Sequence, residues 1–206
     1  MQTKYFSPSV NIIRDQEVNL EYIVTPNTQQ VYNSIISNYL KGSRSFNLIG
    51  NYGTGKSSFV VALEQTLNKK KEHFKKGQLF SNIESFEFIN IVGDYESLTQ
   101  HFYDHFGVKN NKDFFKVFED YYANLRAEKK ALLIVIDEFG KFLEYASHNN
   151  PEGELYFVQM LAEFVNDPSK EILFLSVLHQ NFNAYSHNLD PSRKMNGIKS
   201  KVVLLN

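Results

Sequence analysis

The residue types best suited to chemistry in this chain lie together at Gly50–Ser57, which reads Gly-Asn-Tyr-Gly-Thr-Gly-Lys-Ser. The string matches the pattern G-x-x-x-x-G-K-[ST], whose glycines let the backbone turn tightly and direct its N–H groups at an anion. Lys56 would place its charge against the β- and γ-phosphates of a nucleotide, and the Ser57 hydroxyl would bind Mg²⁺. The alternative is a glycine-rich turn without a ligand. We expect the following residues to contact the nucleotide: Gly50, Asn51, Tyr52, Gly53, Thr54, Gly55, Lys56, Ser57 and Ser58.

The segments on either side of Gly50–Ser57 are those that such a loop requires. Residues 45–49 form an apolar-leaning run that predicts a strand ending at the loop, and residues 58–68 predict a helix directly after it. Apolar residues recur at helical spacing in that helix, at Phe59, Val60, Leu63 and Leu67. Because the N-terminal N–H groups of a helix attract phosphate, strand, loop and helix stand in the required order.

A second group of chemically suitable residues follows a strongly apolar strand. Ala131–Ile136 is apolar without alternation, which is typical of a parallel strand covered on both faces. Asp137 and Glu138 come directly after it. We expect Asp137 to hold Mg²⁺ together with Ser57, directly or through water, and Glu138 to activate water as a general base. The alternative is a capping pair for the helix that begins at Phe139, and capping is compatible with catalysis.

Strands alternate with helical segments along the chain, which predicts an α/β protein with a parallel sheet. The further predicted strands are 86–92 and 172–178, preceded by short N-terminal strands at Asn11–Ile13 and Leu20–Val24. The further predicted helices run from Val31 to about Gly42 and over residues 96–106, 112–127, 139–148 and 152–165. The helix at 112–127 has a heavily aromatic face, which we expect to pack in the core.

Composition sets only broad limits on function. The chain has 206 residues, of which 42% are hydrophobic and 22% charged, as in an ordinary globular protein. The net charge of −1 gives no support to nucleic-acid binding. There is no cysteine, which excludes disulfides and thiolate metal sites. No run reaches the roughly 18 apolar residues of a membrane span, and no apolar secretory signal is visible at the start. We therefore expect a cytoplasmic protein without a membrane partner.

Two further groups of residues could bind ions, although a structural role is the simpler interpretation of each. Lysines cluster at residues 69–76 and could contact phosphate, but a solvated helix end and loop is the better explanation for them. His101 and His105 have the i, i+4 spacing of a metal pair, but no suitable carboxylate or cysteine partner is evident nearby in the sequence.

Taken together, these motifs resemble the AAA+ and STAND-like branch of P-loop NTPases. The resemblance is carried by Gly50–Ser57, residues 132–138 and residues 175–181, and it extends to about Pro191. It implies a three-layer α/β core with strand order 5-1-4-3-2, a site for ATP and Mg²⁺, and a place in a larger polypeptide or assembly. The stretches Phe46–Ser58, Ile134–Glu144 and Val177–Tyr185 are similar to ATPases of bacterial phage-defence systems.

The resemblance also implies a role for the polar residues after the strand at 172–178. In this class of ATPases, the strand beside the loop strand ends in a polar residue that senses the γ-phosphate. His179, Gln180 and Asn181 follow the strand here, and we expect His179 or Gln180 to take this role. The alternative is a polar cap on a buried strand. The catalytic residues that we expect are thus Lys56, Glu138, His179 and Gln180.

The chain departs from the family pattern at its C-terminal end. The family has a fifth strand and a helical lid with an arginine, and we expect both elements to be missing or non-native here. Val202–Leu205 is the only apolar run that remains. A one-nucleotide shift in a back-translation of Met195–Leu205 gives a segment like that of related ATPases, which suggests a frameshifted or disordered tail. We predict three segments along the chain. Residues 1–44 form N-terminal strands and a helix, residues 45–190 form the ATPase core, and residues 191–206 form the tail.

Three functions remain open. The leading interpretation is an enzyme that binds and hydrolyses ATP with Mg²⁺ and drives conformational change in protein partners or in further copies of itself. The second is a nucleotide-gated interaction module that binds ATP but hydrolyses it poorly. The third, a nucleoside or small-molecule kinase, is disfavoured because such kinases usually lack a catalytic glutamate after the aspartate at the position of Asp137.

Overall fold

The structure is a computed structural model and describes residues 10–75, 82–180 and 200–205. Its helices and strands, in chain order, are α1 (Pro26–Leu40), β1 (Ser45–Ile49), α2 (Lys56–Leu67), β2 (Ser85–Val92), α3 (Leu98–Phe106), α4 (Asn111–Ala127), β3 (Lys130–Asp137), α5 (Phe139–His148), α6 (Pro151–Val165), β4 (Ile172–Leu178) and β5 (Ser200–Leu204). The order alternates strands with helices, as predicted.

All strands of the sheet are parallel, in the order β2-β3-β4-β1-β5. This confirms the predicted α/β parallel-sheet core and the strand order 5-1-4-3-2. The chain leaves β1 for the far edge at β2 and returns through β3 and β4, so that β1 lies between β4 and β5. In such open sheets, ligands bind beyond the carboxyl ends of the strands where the strand order reverses. Here that position is the end of β1, which leads into Gly50–Ser57.

The two faces of the sheet are covered by different helices. One apolar cluster joins α1 and α2 to the sheet, and the other joins α3, α4, α5 and α6 to the opposite face. Residues 131–136 of β3 are fully buried between the clusters, which explains why this strand shows no alternation. Phe114 and Phe118 of α4 are also fully buried, so its aromatic face does pack in the core.

Capping residues explain where several helices begin. The hydroxyl of Thr25 accepts a hydrogen bond from the Thr28 N–H at 3.2 Å, and Pro26 occupies the first turn of α1. Helix α1 therefore begins at Pro26, five residues before the predicted start at Val31, because Thr25 caps the helix and Pro26 fits its first turn. Ser97 caps α3 in the same way.

The fifth strand, which was expected to be missing or non-native, is present as β5, and that prediction was wrong. Residues 200–204 pair in parallel with β1, and the Leu205 N–H donates to the Ile49 carbonyl at 2.8 Å. Val203 and Leu205 are buried against the core. A short apolar run does not reveal its strand partner, which here lies far away in the sequence. Residues 191–199 of the predicted tail lie outside the described residues.

The N-terminal strands predicted at Asn11–Ile13 and Leu20–Val24 do not form; residues 12–17 make turns instead. Two backbone carbonyls of this segment accept hydrogen bonds from side chains on α2 and just after it, rather than from a neighbouring strand. Gln65 donates to the Val18 carbonyl at 2.8 Å, and Lys71 donates to the Leu20 carbonyl at 2.7 Å. Two lysines of the cluster thereby have structural partners, since Lys70 contacts Glu17. No helix in the described ranges combines the length and apolar character needed to cross a bilayer.

Candidate functional site

The loop between β1 and α2 has a backbone that only glycine accommodates at several positions. Gly53 and Gly55 have φ angles of +78° and +80°, in the left-handed region that disfavours side chains. A Cβ atom at Gly50 would collide with the Leu205 carbonyl oxygen and would lie 2.8 Å from the Thr54 hydroxyl. The end of β5 thus packs directly behind the start of the loop, which helps to fix its path.

Lys56 is held inside this loop. Only 6% of the residue is exposed, and its Nζ donates to the carbonyls of Gly50 at 2.7 Å and Asn51 at 2.8 Å. Burial lowers the pKa of Lys56, although the charges of Asp137 and Glu138 oppose this effect. The ammonium is therefore fixed at the carboxyl end of β1 by the loop itself, where an anion bound by the loop would meet it.

Ser57 and Asp137 are brought together from positions 80 residues apart. The Ser57 hydroxyl donates to Asp137 Oδ2 at 2.7 Å, while Asp137 Oδ1 accepts the Glu138 N–H at 2.9 Å. Burial raises the pKa of Asp137, and the hydrogen bond from Ser57 opposes that rise. A hydroxyl and a carboxylate side by side fit Mg²⁺, which prefers oxygen ligands and completes its shell with water and phosphate.

Glu138 does not cap α5 with its side chain. It occupies the position before the helix with a left-handed φ of +54°, but it makes no side-chain capping bond. Its Oε1 instead accepts a hydrogen bond from Nε2 of His179 at 2.9 Å. The backbone of Gly93 at the end of β2 packs so closely that a Cβ there would collide with the Glu138 carbonyl. The segments at the carboxyl ends of strands β2, β3 and β4 therefore position the Glu138 carboxylate beside the loop.

His179 joins the two halves of the site. Its Nδ1 lies 3.1 Å from Lys56 Nζ, and its Nε2 bonds to Glu138. Its ring is stacked on that of Tyr52, with centroids 3.5 Å apart and planes 20° from parallel. The sequence motif placed Tyr52 in the loop but gave no sign of this stack, because the contact joins side chains that are distant in sequence.

The remaining predicted residues lie less centrally. Thr54 donates its hydroxyl to the Asn51 carbonyl at 2.9 Å and stabilises the loop, and Ser58 is half-buried in the first turn of α2. Gln180 is exposed beyond β4 and makes no hydrogen bond with the other described site residues. Asn181 lies outside the described residues. Of the polar residues after β4, His179 is therefore the one that the structure places against Lys56 and Glu138.

Arg44 and Arg126 lie away from the loop. Arg44 precedes β1, at the opposite edge of the sheet, where it donates to the carbonyls of Tyr39, Pro168 and Lys170 at 2.8–2.9 Å. Arg126 donates to the Lys130 carbonyl at the start of β3, also at that edge. Both side chains have structural roles.

A cavity of about 580 Å³ lies between α3 and α5, and no residue of Gly50–Ser58 lines it. His101 and His105 are on its wall, where His101 contacts Glu96 at 3.1 Å. Burial lowers the pKa of His105, and His101 adds to this effect. Within the described ranges, no three side chains are grouped so as to hold a metal ion.

Comparison with known proteins identifies the fold. No family model and no curated protein matches the chain. The ORC2 protein of Aeropyrum pernix, solved as ADPNP-ADP complexes, has a TM-score of 0.53 and 11% identity over 90% of this chain and 50% of its own. The Aeropyrum pernix ORC1 protein in complex with DNA has a TM-score of 0.51 and 13% identity, over 89% and 46%. PCH-2 of C. elegans has a TM-score of 0.51 and 16% identity, over 93% and 46%.

At this low identity the likeness shows the fold alone. The chain shares the three-layer P-loop NTPase fold of these structures, with a five-stranded parallel sheet between two layers of helices and Gly50–Ser57 at the end of β1. It spans about half the length of these solved structures, between 46% and 50%.

Proposed function

We propose that the chain binds ATP with Mg²⁺, hydrolyses it, and passes the change of nucleotide state to a larger assembly. The observation that carries the proposal is the convergence of Lys56, Ser57, Asp137 and Glu138 at the carboxyl edge of the sheet. The clearest contact in this group is the 2.7 Å hydrogen bond between Ser57 and Asp137, which lie 80 residues apart in the sequence. The two oxygens of this pair, the Lys56 ammonium and the N–H groups of the glycine-rich loop together match the needs of a Mg²⁺-bound triphosphate.

Each residue has a distinct task in this proposal. The loop N–H groups and Lys56 bind the phosphates, and Ser57 with Asp137 would hold Mg²⁺, which neutralises charge on the phosphate oxygens when bound. Glu138 accepts the proton of the attacking water. His179 donates Nε2–H to Glu138 and thereby orients the carboxylate. Catalysis of this kind depends mainly on positioning and charge stabilisation, so small displacements of these groups reduce the rate strongly.

A single-turnover measurement of ATP cleavage tests hydrolysis directly. Glu138→Gln keeps the size of the side chain but removes the base, and we expect the rate to fall by about 100-fold or more. Glu144→Gln is the matched control, because Glu144 is an exposed glutamate on α5. Equal rates for the wild type and Glu138→Gln would contradict the enzymatic proposal.

The alternative is a nucleotide-gated interaction module with little hydrolysis. It is favoured by one observation: the carboxylate that would activate water is already bound to His179 at 2.9 Å. The same single-turnover experiment separates the two functions. A module of this kind binds ATP with the same dependence on Lys56 but shows no cleavage beyond that of Glu138→Gln.

The cellular setting is also part of the proposal. Partners that respond to the nucleotide, whether other proteins or further copies of this chain, are supported by the resemblance of the motifs to AAA+ and STAND-like ATPases. A place in cytoplasmic bacterial phage defence is supported by the sequence resemblance alone. Light scattering with and without ATP and Mg²⁺ tests assembly, and an unchanged monomer in both conditions would contradict assembly of the chain with itself.

A further inference from the structure

All three N–H donors of the Lys56 ammonium are in use, and one of them is taken by His179. The carbonyls of Gly50 and Asn51 accept two donors, and Nδ1 of His179 accepts the third at 3.1 Å. Because lysine can only donate, Nδ1 carries no proton, and the imidazole proton is on Nε2, facing Glu138. With this direct contact in place, no phosphate group fits between the imidazole and the ammonium.

Tyr52 reinforces the position of His179 from the loop side. Its ring lies on the imidazole at 3.5 Å between centroids, although 77% of the residue is exposed. The stack therefore links the loop after β1 to the end of β4. Movement of the imidazole away from Lys56 has to slide or break this contact, since Tyr52 belongs to the loop and His179 to the end of β4.

We propose that Tyr52 and His179 form a gate that opposes the binding of a nucleoside triphosphate more strongly than the binding of a diphosphate. The inference rests on the proposed nucleotide site. The loop N–H groups cradle the α- and β-phosphates and Lys56 contacts both the β- and γ-phosphates, but only the γ-phosphate needs the side of the ammonium that faces Glu138. That position is occupied by the imidazole. A triphosphate must therefore displace His179 from Lys56 and disturb the Tyr52 stack, and a diphosphate need not.

The gate is tested by measuring two dissociation constants, for ADP and for a non-hydrolysable ATP analogue, each with Mg²⁺, by calorimetry. Tyr52→Ala removes the stack and is expected to tighten binding of the analogue by about two- to tenfold, the contribution of one aromatic pair. The dissociation constant for ADP should change by a smaller factor, so that the ratio of the two constants shifts in favour of the analogue. Tyr52→Phe retains the ring and should keep the wild-type ratio of the two constants. Tyr156→Ala removes a comparably exposed tyrosine from α6 and serves as the control.

The outcomes distinguish the gate from the nucleotide site itself. If Tyr52→Ala changes both dissociation constants by the same factor, or weakens binding of the analogue, the result would contradict the gate and leave the proposed site intact. A wild-type protein that binds neither nucleotide would overturn the proposed function and the gate with it. Because Tyr52 is exposed, its replacement is not expected to impair folding, which a thermal melt of each variant checks.

Discussion

Replacing Glu64 with glutamine is expected to stabilise the protein above neutral pH and to have little effect in acid. Glu64 lies on α2 with 1% of its surface exposed, and neither carboxylate oxygen meets a hydrogen-bond donor in suitable geometry among the described residues. Burial raises the pKa of Glu64 from 4.5 to about 7, although Asn90 and Gln16 lie close enough to oppose the rise. Asn90 Oδ1 is itself buried without a donor, so a protonated Glu64 beside it is favourable.

The size of the effect follows from the two pKa values. Below the ordinary pKa of 4.5 the group is protonated in both folded and unfolded chains, and ionisation costs nothing. As the pH rises towards 7, only the unfolded chain releases the proton, so the free energy of unfolding falls. Above about 7 both states are ionised and the loss stays constant. At about 1.4 kcal/mol per pKa unit, the full loss is about 3 kcal/mol.

The assay is urea unfolding of wild type and Glu64→Gln at about pH 5 and about pH 8. The variant should gain about 2 kcal/mol relative to the wild type between these two conditions, because most of the loss falls within that interval. Glu144→Gln, which replaces an exposed glutamate, should show no such pH-dependent difference. A difference between wild type and Glu64→Gln that is the same at both pH values would refute the reasoning.

Two further substitutions test the frame that supports the loop. Arg44→Ala leaves three carbonyls without their donor and should lower the free energy of unfolding by about 3 kcal/mol in urea. Lys141→Ala, at an exposed lysine of α5, should change it by about 0.5 kcal/mol or less. Similar losses in both variants would contradict the role of Arg44. Gly50→Ala forces a Cβ atom against the Leu205 carbonyl. It should therefore weaken nucleotide binding by about tenfold or more in a calorimetric titration. Undiminished affinity would show that β5 does not constrain the loop.

Local sequence predicted the parts of the molecule in which local chemistry decides the structure. The loop at Gly50–Ser57 could be predicted because its backbone requires glycine at several positions, and the position of Asp137 because it follows a strongly apolar strand. The strand order came from the family resemblance, and the parallel pairings confirm it. For the loop and for Asp137, the features that the prediction used lie within one strand and the segment that follows it.

The features that were missed depend on contacts between distant residues. Strand β5 is defined by its pairing with β1, which a short apolar run cannot show. The stack of Tyr52 on His179 joins two strand ends, and neither ring is in an unusual sequence context. The burial of Glu64 was not expected, because helical periodicity does not distinguish a charged residue in a covered helix from one on its solvent face. Tertiary packing decided all three.

The most direct test of the central claim is the affinity for ATP with Mg²⁺, measured by calorimetry for wild type, Lys56→Ala and Lys141→Ala. Lys56 supplies the buried ammonium of the loop, while Lys141 is an exposed lysine on α5. Loss of a charge-assisted contact to phosphate should weaken binding by about tenfold or more in Lys56→Ala and leave Lys141→Ala equal to wild type. Equal affinity in all three proteins would contradict a nucleotide site at Gly50–Ser57.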